Sequence, residues 1–264
     1  MKKIHTKFKK SQNRNLNAVR IHDKMYLKLD RSKQVKYSFV KILDEIKKYR
    51  GKKIYSLCDV GCASGDFLYA ANRTLGDSVN LVGIDIRSDL LEAANKKISN
   101  CTLIKADINH PNFLKKINNE YDVVTMSGTM QIFDDFSISI DNCLGILKKK
   151  GILIVQGPFN PFDVDVIMRY RDVSNIRNYN HKKLPPLQVG FNMFSVKHVK
   201  QYIKSTYPNY SVRFEEILFP KKMNYKIQKN DLDRSWNINI ENKNLWINGN
   251  QILQHQFLCK IIKK

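Results

Sequence analysis

The 264-residue sequence lacks any long apolar run, and no window approaches the roughly 18 consecutive apolar residues that a membrane-spanning helix needs. The first ten residues, MKKIHTKFKK, contain no apolar stretch like that of a secretory signal peptide. Cysteine is scarce, with only five residues, an odd number, as is common for reduced thiols in the cytosol. We therefore expect a soluble, cytoplasmic protein without a membrane span.

Acidic residues are also few: 24 Asp and Glu stand against 46 Lys and Arg, giving a formal charge of +22. Residues 1–53 carry 14 Lys and 4 Arg against 4 acids, so a net charge of +14 lies ahead of the first predicted strand. Such a cluster can neutralise nucleic-acid phosphates. The sequence is also rich in Asn and Ile, a composition that a biased genome produces without selection for a polyanion. A nucleic-acid partner is therefore possible but less favoured.

The most informative stretch runs from Ile54 to Phe67 and reads IYSLCDVGCASGDF. A short apolar run predicts a strand, the small residues predict a tight turn, and the residues from Phe67 onward have helical spacing. A dinucleotide-binding turn needs the pattern G-x-G-x-x-G. This turn has one glycine fewer and an acid, Asp59, ahead of it, which argues against a pyrophosphate ligand.

Acids also follow the next two predicted strands, with Asp85 at the end of 79–86 and Asp107 after the strand that begins at Leu103. Asp85 is expected to face solvent at its strand tip, where its carboxylate can accept both hydroxyls of a ribose. Asp107 is placed to accept a hydrogen bond from an exocyclic amine. Acids at three successive strand ends suit a ligand that contains a cationic amino acid, a ribose and an adenine.

At these residues the chain resembles the class I S-adenosylmethionine-dependent methyltransferases, most specifically from Ile54 to Gly157. The resemblance implies an α/β, Rossmann-like fold with a seven-stranded, mostly parallel sheet and an antiparallel last strand. It implies S-adenosyl-L-methionine as the cofactor and assigns roles to individual residues. Asp59, Gly61, Ala63 and Gly65 would shape the methionine end of the pocket, Asp85 would bind the ribose, Ile86 would pack on the adenine, and Asp107 with Ile108 would hold the adenine edge.

Three regions are predicted around this pattern: a basic, helical N-terminal extension (1–50), a catalytic domain (51–264), and an acceptor-side insert or lid within it (158–194). Strand four is predicted at Tyr121–Ser127, a turn at 148–151, and strand five at 152–157. The strand-four tip carries Ser127, which we add to the cofactor-binding residues. It lacks the acid-Pro-Pro-aromatic, Pro-Cys and catalytic Asp signatures of several nucleic-acid and protein methyltransferases.

The insert is rich in Arg, Asn, Tyr and Pro, including Arg169 and Arg171. It is either a lid whose arginines bind an acidic or phosphorylated acceptor or a basic surface loop. The segment that follows it, Gly190 to Ser195, resembles Phe-Asn-x-Phe-Ser segments of sugar and polysaccharide methyltransferases.

Methyl transfer from a sulfonium requires no metal, and none is predicted, although a hydroxyl acceptor must lose its proton to a base. The candidates are His181 and His198, followed by Asp134. The predicted function is O-methylation of a small polar, sugar-like or phosphorylated acceptor, in surface or capsular polysaccharide biosynthesis. The alternatives are an RNA methyltransferase that uses the basic N-terminal segment and a catalytically silent cofactor-binding module. The sequence leaves the oligomeric state open.

Overall fold

The computed structural model describes residues 26–28, 35–49, 55–171, 173, 176–177, 180, 183–218, 236–247 and 252–264. Most of the predicted basic N-terminal extension, and His181 in the insert, therefore lie outside the described residues. Among the described residues, no helix is long and apolar enough to cross a membrane. All five cysteines are free thiols, and four of them are buried.

The described helices and strands alternate over the first two thirds of the chain. The helices are α1 (Tyr37–Tyr49), α2 (Asp66–Leu75), α3 (Ser88–Lys97), α4 (Phe113–Lys116), α5 (Ser137–Gly145) and α6 (Val196–Thr206), with a short 3-10 helix at Met130–Ile132. The strands are β1 (Ser56–Val60), β2 (Asn80–Asp85), β3 (Cys101–Lys105), β4 (Tyr121–Ser127), β5 (Leu147–Asn160), β6 (Arg169–Tyr170), β7 (Gln188–Val189), β8 (Phe194–Ser195), β9 (Tyr210–Glu216), β10 (Trp236–Ile240), β11 (Lys243–Ile247), β12 (Leu253–Gln254) and β13 (Gln256–Lys263).

The central sheet has the strand order β3-β2-β1-β4-β5-β13-β9. Strands β1 to β5 are parallel, whereas β13 runs antiparallel between β5 and β9. This arrangement confirms the predicted fold, including the antiparallel last strand. The short strand β8 adds to the end of β5 as an eighth member, and β10-β11-β12 form a separate small sheet.

Helix α1 has the apolar spacing of an amphipathic helix and packs on one face of the sheet. Phe39, Ile42, Leu43 and Ile46 recur every three or four residues and are buried, and the Phe39 ring meets Phe67 of α2 edge to face. Burying each such side chain contributes roughly 1.5–3 kcal/mol. A second apolar core fills the opposite face, so that the strand tips, rather than the sheet faces, are left for ligands.

One predicted boundary is wrong. Residues 148–151, expected to form a turn before strand five, lie within β5, which begins at Leu147 and continues to Asn160. The pairing of β4 with β5 shifts register between Tyr121 and Val123, and Lys150 has a positive φ of 61°. The extra residues are accommodated as an irregularity in the strand because pairing with β4 resumes on its far side.

Candidate cofactor and acceptor site

A cavity of about 300 Å³ opens at the carboxyl ends of the parallel strands. This edge is where open α/β sheets bind ligands. One wall consists of the turn after β1, the ends of β2 and β3, and the tip of β4. Tyr26, Phe133 and the insert residues 186–189 also line the cavity.

The turn after β1 is held open by backbone conformation. Gly61, Ala63 and Gly65 all have positive φ angles, of 74°, 48° and 77°. The N–H groups of Gly61 and Cys62 both donate to the carbonyl oxygen of Ile84, at 2.7 and 3.0 Å. A Cβ atom at Gly61 would lie only 2.0 Å from Oγ1 of Thr129, so glycine is needed where the turn meets the strand-four tip.

Asp85 lines the cavity, but it is not the solvent-facing acid that the sequence suggested, because it is only 9% exposed. Its Oδ2 accepts a hydrogen bond from the Ala63 N–H and its Oδ1 accepts one from the Arg87 N–H, both at 2.9 Å. The carboxylate therefore also shapes the turn after β1.

The third acid, Asp107, also lines the cavity, in the loop after β3. Its Oδ1 accepts a hydrogen bond from the Asn109 N–H at 2.9 Å, which fixes the loop. The side chain of Asn142 donates to the carbonyl oxygen of Ile108 at 2.6 Å and supports the loop from α5. Ile108 and Ile86 both line the cavity, so the region beside the two carboxylates has apolar surfaces on which a flat ring could pack.

Asp59 in β1 and Gly65 at the end of the turn are not among the residues that line the cavity. Asp59 is only 3% exposed, and the Thr125 hydroxyl donates to its Oδ1 at 2.7 Å. Burial, reinforced by the negative charge of Asp85, raises the pKa of the Asp59 carboxyl to about 7. Gly65 faces α3, where an added Cβ would lie 3.0 Å from the Ala94 side chain.

The two predicted catalytic residues that the structure describes, His198 and Asp134, do not meet at the cavity. On α6, Nδ1 of His198 lies 2.7 Å from Oδ2 of Asp165, and the ring is half exposed against Phe136. Oδ1 of Asp134 pairs with the Arg169 guanidinium at 2.6 Å, so one of the proposed acceptor-binding arginines is engaged by a proposed base. Neither His198 nor Asp134 lines the cavity, and with His181 outside the described residues, all three assignments stay predictions.

Several cavity residues were not identified from the sequence. They include Tyr26 from the N-terminal region, Thr129 and Phe133 after β4, and residues 186–189 at strand β7 of the insert. The β6–β7 pairing places Gln188 opposite Tyr170, whose hydroxyl donates to the Gln188 side chain at 2.9 Å. A strand of two residues is too short to show an alternation of apolar and polar residues. The sequence therefore could not predict β6 and β7, and only their pairing in the structure identifies them.

The sequence profile of a family described as a methyltransferase domain matches residues 52–205, more than half of the chain. The chain belongs to this methyltransferase family. That match spans β1 to α6 and therefore includes the cavity walls, apart from Tyr26.

Two curated relatives are similar to the methyltransferase over part of their length. Trans-aconitate 2-methyltransferase of Yersinia pseudotuberculosis is 29% identical over 106 residues, covering 39% of this chain and 38% of the relative. Demethylmenaquinone methyltransferase of Staphylococcus carnosus is 27% identical over 112 residues, covering 41% and 45%. The chain thus matches less than half the length of either relative.

Solved structures show the same fold over nearly the whole chain. An amino pentose methyltransferase from Micromonospora echinaspora, solved with S-adenosylmethionine, aligns with a TM-score of 0.54 at 13% identity over 94% of this chain and 98% of its own. A plantazolicin methyltransferase, solved with S-adenosylhomocysteine and a substrate analogue, aligns with a TM-score of 0.54 at 14% identity over 91% and 90%.

The chemical groups that line the cavity match those of S-adenosylmethionine. Two carboxylates at neighbouring strand ends can accept hydrogen bonds from hydroxyl and amine groups, two isoleucines offer apolar surface, and the open turn brings backbone close to the ligand. The predictions of a class I methyltransferase and of S-adenosylmethionine as its cofactor are confirmed.

Proposed function

We propose that the chain transfers a methyl group from S-adenosylmethionine to an oxygen atom of a small polar acceptor. The supporting observation is the single cavity shared by the Asp85 and Asp107 carboxylates and the insert residues 186–189. Its volume of about 300 Å³ is of the size typical for small-molecule sites, which span roughly 300–1,000 Å³.

In this proposal the cofactor lies along the strand ends. Asp85 accepts hydrogen bonds from the ribose hydroxyls, Ile86 and Ile108 pack on the adenine, and Asp107 accepts from its exocyclic amine. The backbone at Gly61 and Ala63 contacts the methionine end of the cofactor. Asp59 and Gly65 hold this turn in shape without lining the cavity. Ser127 contributes a hydroxyl at the tip of β4.

The acceptor enters on the side of Phe133 and the insert. The names of the relatives and neighbours support a small-molecule acceptor, since they include an organic acid, a quinone precursor and an amino pentose. A sugar-like or phosphorylated acceptor, and with it a place in polysaccharide assembly, is the first class to test. Asn192 of the Phe-Asn-Met-Phe-Ser segment is fully buried, so this segment would shape the acceptor side without touching the acceptor.

The cofactor supplies an electrophilic methyl group, and the protein supplies alignment. Fixing two reactants in a near-attack arrangement can lower a barrier by roughly 7–11 kcal/mol. The apolar side chains of Ile132, Phe133 and Leu187 would exclude water from this region.

A hydroxyl acceptor must also lose a proton, and we propose His181, His198 and Asp134 as the candidates for the base. Replacing each by Gln or Asn, and comparing the pH profiles of kcat, would identify which one acts.

The proposal is tested first by calorimetry with S-adenosylhomocysteine on the wild type, Asp85→Asn and Asp77→Asn. Asp77 is an exposed loop residue ahead of β2, so its variant is a matched control for the same chemical change. We expect micromolar binding to the wild type and the control, and affinity at least tenfold lower for Asp85→Asn. Equal affinity in all three proteins would contradict the proposed cofactor site.

Transfer of a radiolabelled methyl group to a panel of acceptors then tests the chemistry. The panel contains small carboxylic acids, sugar phosphates, nucleotide sugars and a short RNA. Labelling of RNA alone, with affinity that falls steeply as salt rises, would support the RNA methyltransferase alternative that the net charge of +22 keeps open. Tight cofactor binding without labelling of any acceptor would instead support a silent module.

A further inference from the structure

A chain of buried amide side chains leads away from the cavity at Ser127. The Ser127 hydroxyl donates to Oε1 of Gln156 at 2.7 Å, and Nε2 of Gln156 donates to Oε1 of Gln256 at 2.8 Å. Nε2 of Gln256 in turn donates to Oε1 of Gln254 at 3.2 Å. All three glutamines are less than 9% exposed, and we call Gln156, Gln256 and Gln254 the glutamine relay.

Strand pairing explains why these side chains meet. Ser127 and Gln156 are directly opposite each other in the parallel pair β4–β5, so their side chains share a face. Gln156 is opposite Leu258 of β13, which places Gln256 one step along the same face, and Gln254 precedes it by two residues. The relay therefore crosses three strands from the cavity rim to β12.

The relay couples the directions of its hydrogen bonds to one another. If the Gln156 amide alone were reversed, its oxygen would face Oε1 of Gln256 at hydrogen-bonding distance, and the two acceptors would repel each other. Gln254 constrains Gln256 in the same way, so only a concerted reversal of all three amides would change the pattern. The one Ser127 proton is thus directed to Gln156, and the lone pairs of its oxygen are left to face other groups.

We infer that Gln156 is a positioning residue that holds Ser127 as a hydrogen-bond acceptor for the ammonium group of the cofactor. Ser127 lies two residues from Thr129, which abuts Gly61 at the turn assigned to the methionine end. A cationic N–H donor matches an oxygen whose own proton is already engaged. This inference rests on the proposed function, because it concerns the orientation of the same cofactor.

The test compares two ligands on one set of variants by calorimetry. S-adenosylhomocysteine carries the ammonium group, whereas 5′-methylthioadenosine lacks the amino-acid end and keeps the ribose and adenine. In Gln156→Leu the Ser127 proton is free to turn toward the ammonium. Because the freed hydroxyl can still rotate and accept, we expect affinity for S-adenosylhomocysteine to fall by about two- to tenfold, with affinity for methylthioadenosine unchanged.

Three further variants separate positioning from folding. Ser127→Ala removes the acceptor itself from a partly exposed position and should cause a larger selective loss, of about 10- to 100-fold, even if Gln156→Leu folds poorly, because hydrogen bonds to charged groups contribute about 1.5–3 kcal/mol. Gln256→Leu leaves Ser127 and Gln156 in place but frees the Gln156 amide to reverse, and should cause a smaller selective loss. Gln201→Leu makes the same chemical change at an exposed position on α6 and should alter neither affinity.

An equal loss for both ligands, or no loss for either, would overturn the role of Gln156. A merely structural role would lower the melting temperature without separating the two ligands. If the wild type bound neither ligand, the proposed function would fail instead, so that the two failures are distinguishable.

Discussion

Gly61 combines two constraints in one residue. Its φ of 74° lies in the left-handed region, which costs a residue with a side chain about 1–2 kcal/mol, and a Cβ would also meet the Thr129 side chain at 2.0 Å. Thr129 lines the cavity, so relief of the clash would move the strand-four tip relative to the cofactor turn.

We expect Gly61→Ala to lower the melting temperature and to weaken binding of S-adenosylhomocysteine by more than tenfold. Gly76→Ala is the matched control, because Gly76 has a φ of 82° and an added Cβ would meet no atom within 4 Å, so this variant reports the backbone strain alone. Thermal unfolding and calorimetry on both variants check the prediction. Identical behaviour of the two variants would show that the contact with Thr129 has no role.

Asn192 is a buried polar residue that contacts both another part of the insert and the loop after β4. Oδ1 of Asn192 accepts a hydrogen bond from the Met168 N–H at 2.8 Å, and its Nδ2 donates to the carbonyl oxygen of Phe133 at 2.6 Å. The Asn192 N–H also donates to the carbonyl oxygen of Gln131 at 2.8 Å. Asn192 thereby joins the β6–β7 hairpin to the loop after β4, and both of these contribute residues that line the cavity.

Asn192→Ala would leave the Met168 N–H and the Phe133 carbonyl without this partner, at a cost of about 1–3 kcal/mol for each buried group. We expect faster proteolytic cleavage within the insert and a higher KM for the acceptor, with binding of S-adenosylhomocysteine within about twofold of the wild type. Asn160→Ala is the control, since Asn160 makes local contacts to Phe162 and Val164 in an exposed turn. Cleavage rates that match in the two variants would argue against attachment through Asn192.

At the scale of the whole molecule, the free energy of unfolding depends on pH through carboxyl groups that are shifted in opposite directions. Burial opposes ionisation of Glu45, but hydrogen bonds from Lys260 and Lys48 hold its pKa below the usual value. Glu45 therefore stabilises the fold above its unfolded pKa, and this contribution is lost as pH falls through the lower folded value. Asp59 acts in the opposite sense, because burial raises its pKa to about 7.

For Asp59, the unfolded chain releases its proton near pH 4 whereas the folded protein keeps it until about pH 7. Below pH 4, Asp59 makes its full favourable contribution to the free energy of unfolding. This contribution disappears as pH rises from 4 to 7, so the free energy of unfolding falls by up to about 4 kcal/mol. Asp59→Asn does not titrate, so the stability of the variant relative to the wild type should increase from pH 4 to 7 and then level off. Urea unfolding at several pH values checks this, and a constant difference would contradict a raised pKa.

The sequence by itself determined the part of the cavity that we assign to the cofactor. Strand β4 is predicted at its observed bounds, the sequence pattern selects Asp85 and Asp107, and the family resemblance adds Ile86 and Ile108; all four residues line the cavity. These features are local, because an apolar run followed by small or acidic residues specifies a strand and its end within about ten residues. The carboxyl ends of parallel strands then meet at one edge whatever the packing details.

Only the tertiary structure decided the burial of Asp85, the irregularity in β5, the attachment of the insert through Asn192 and the alignment of Gln156 with Ser127. Each depends on contacts between residues far apart in sequence, such as Ser127 with Gln156 and Gln156 with Gln256. Local sequence patterns do not show which distant residues will be partners. For the same reason, the part of the cavity that we assign to the acceptor was poorly predicted. Its wall is built from Tyr26, the loop after β4 and a two-residue strand, which become neighbours only when the sheet is assembled.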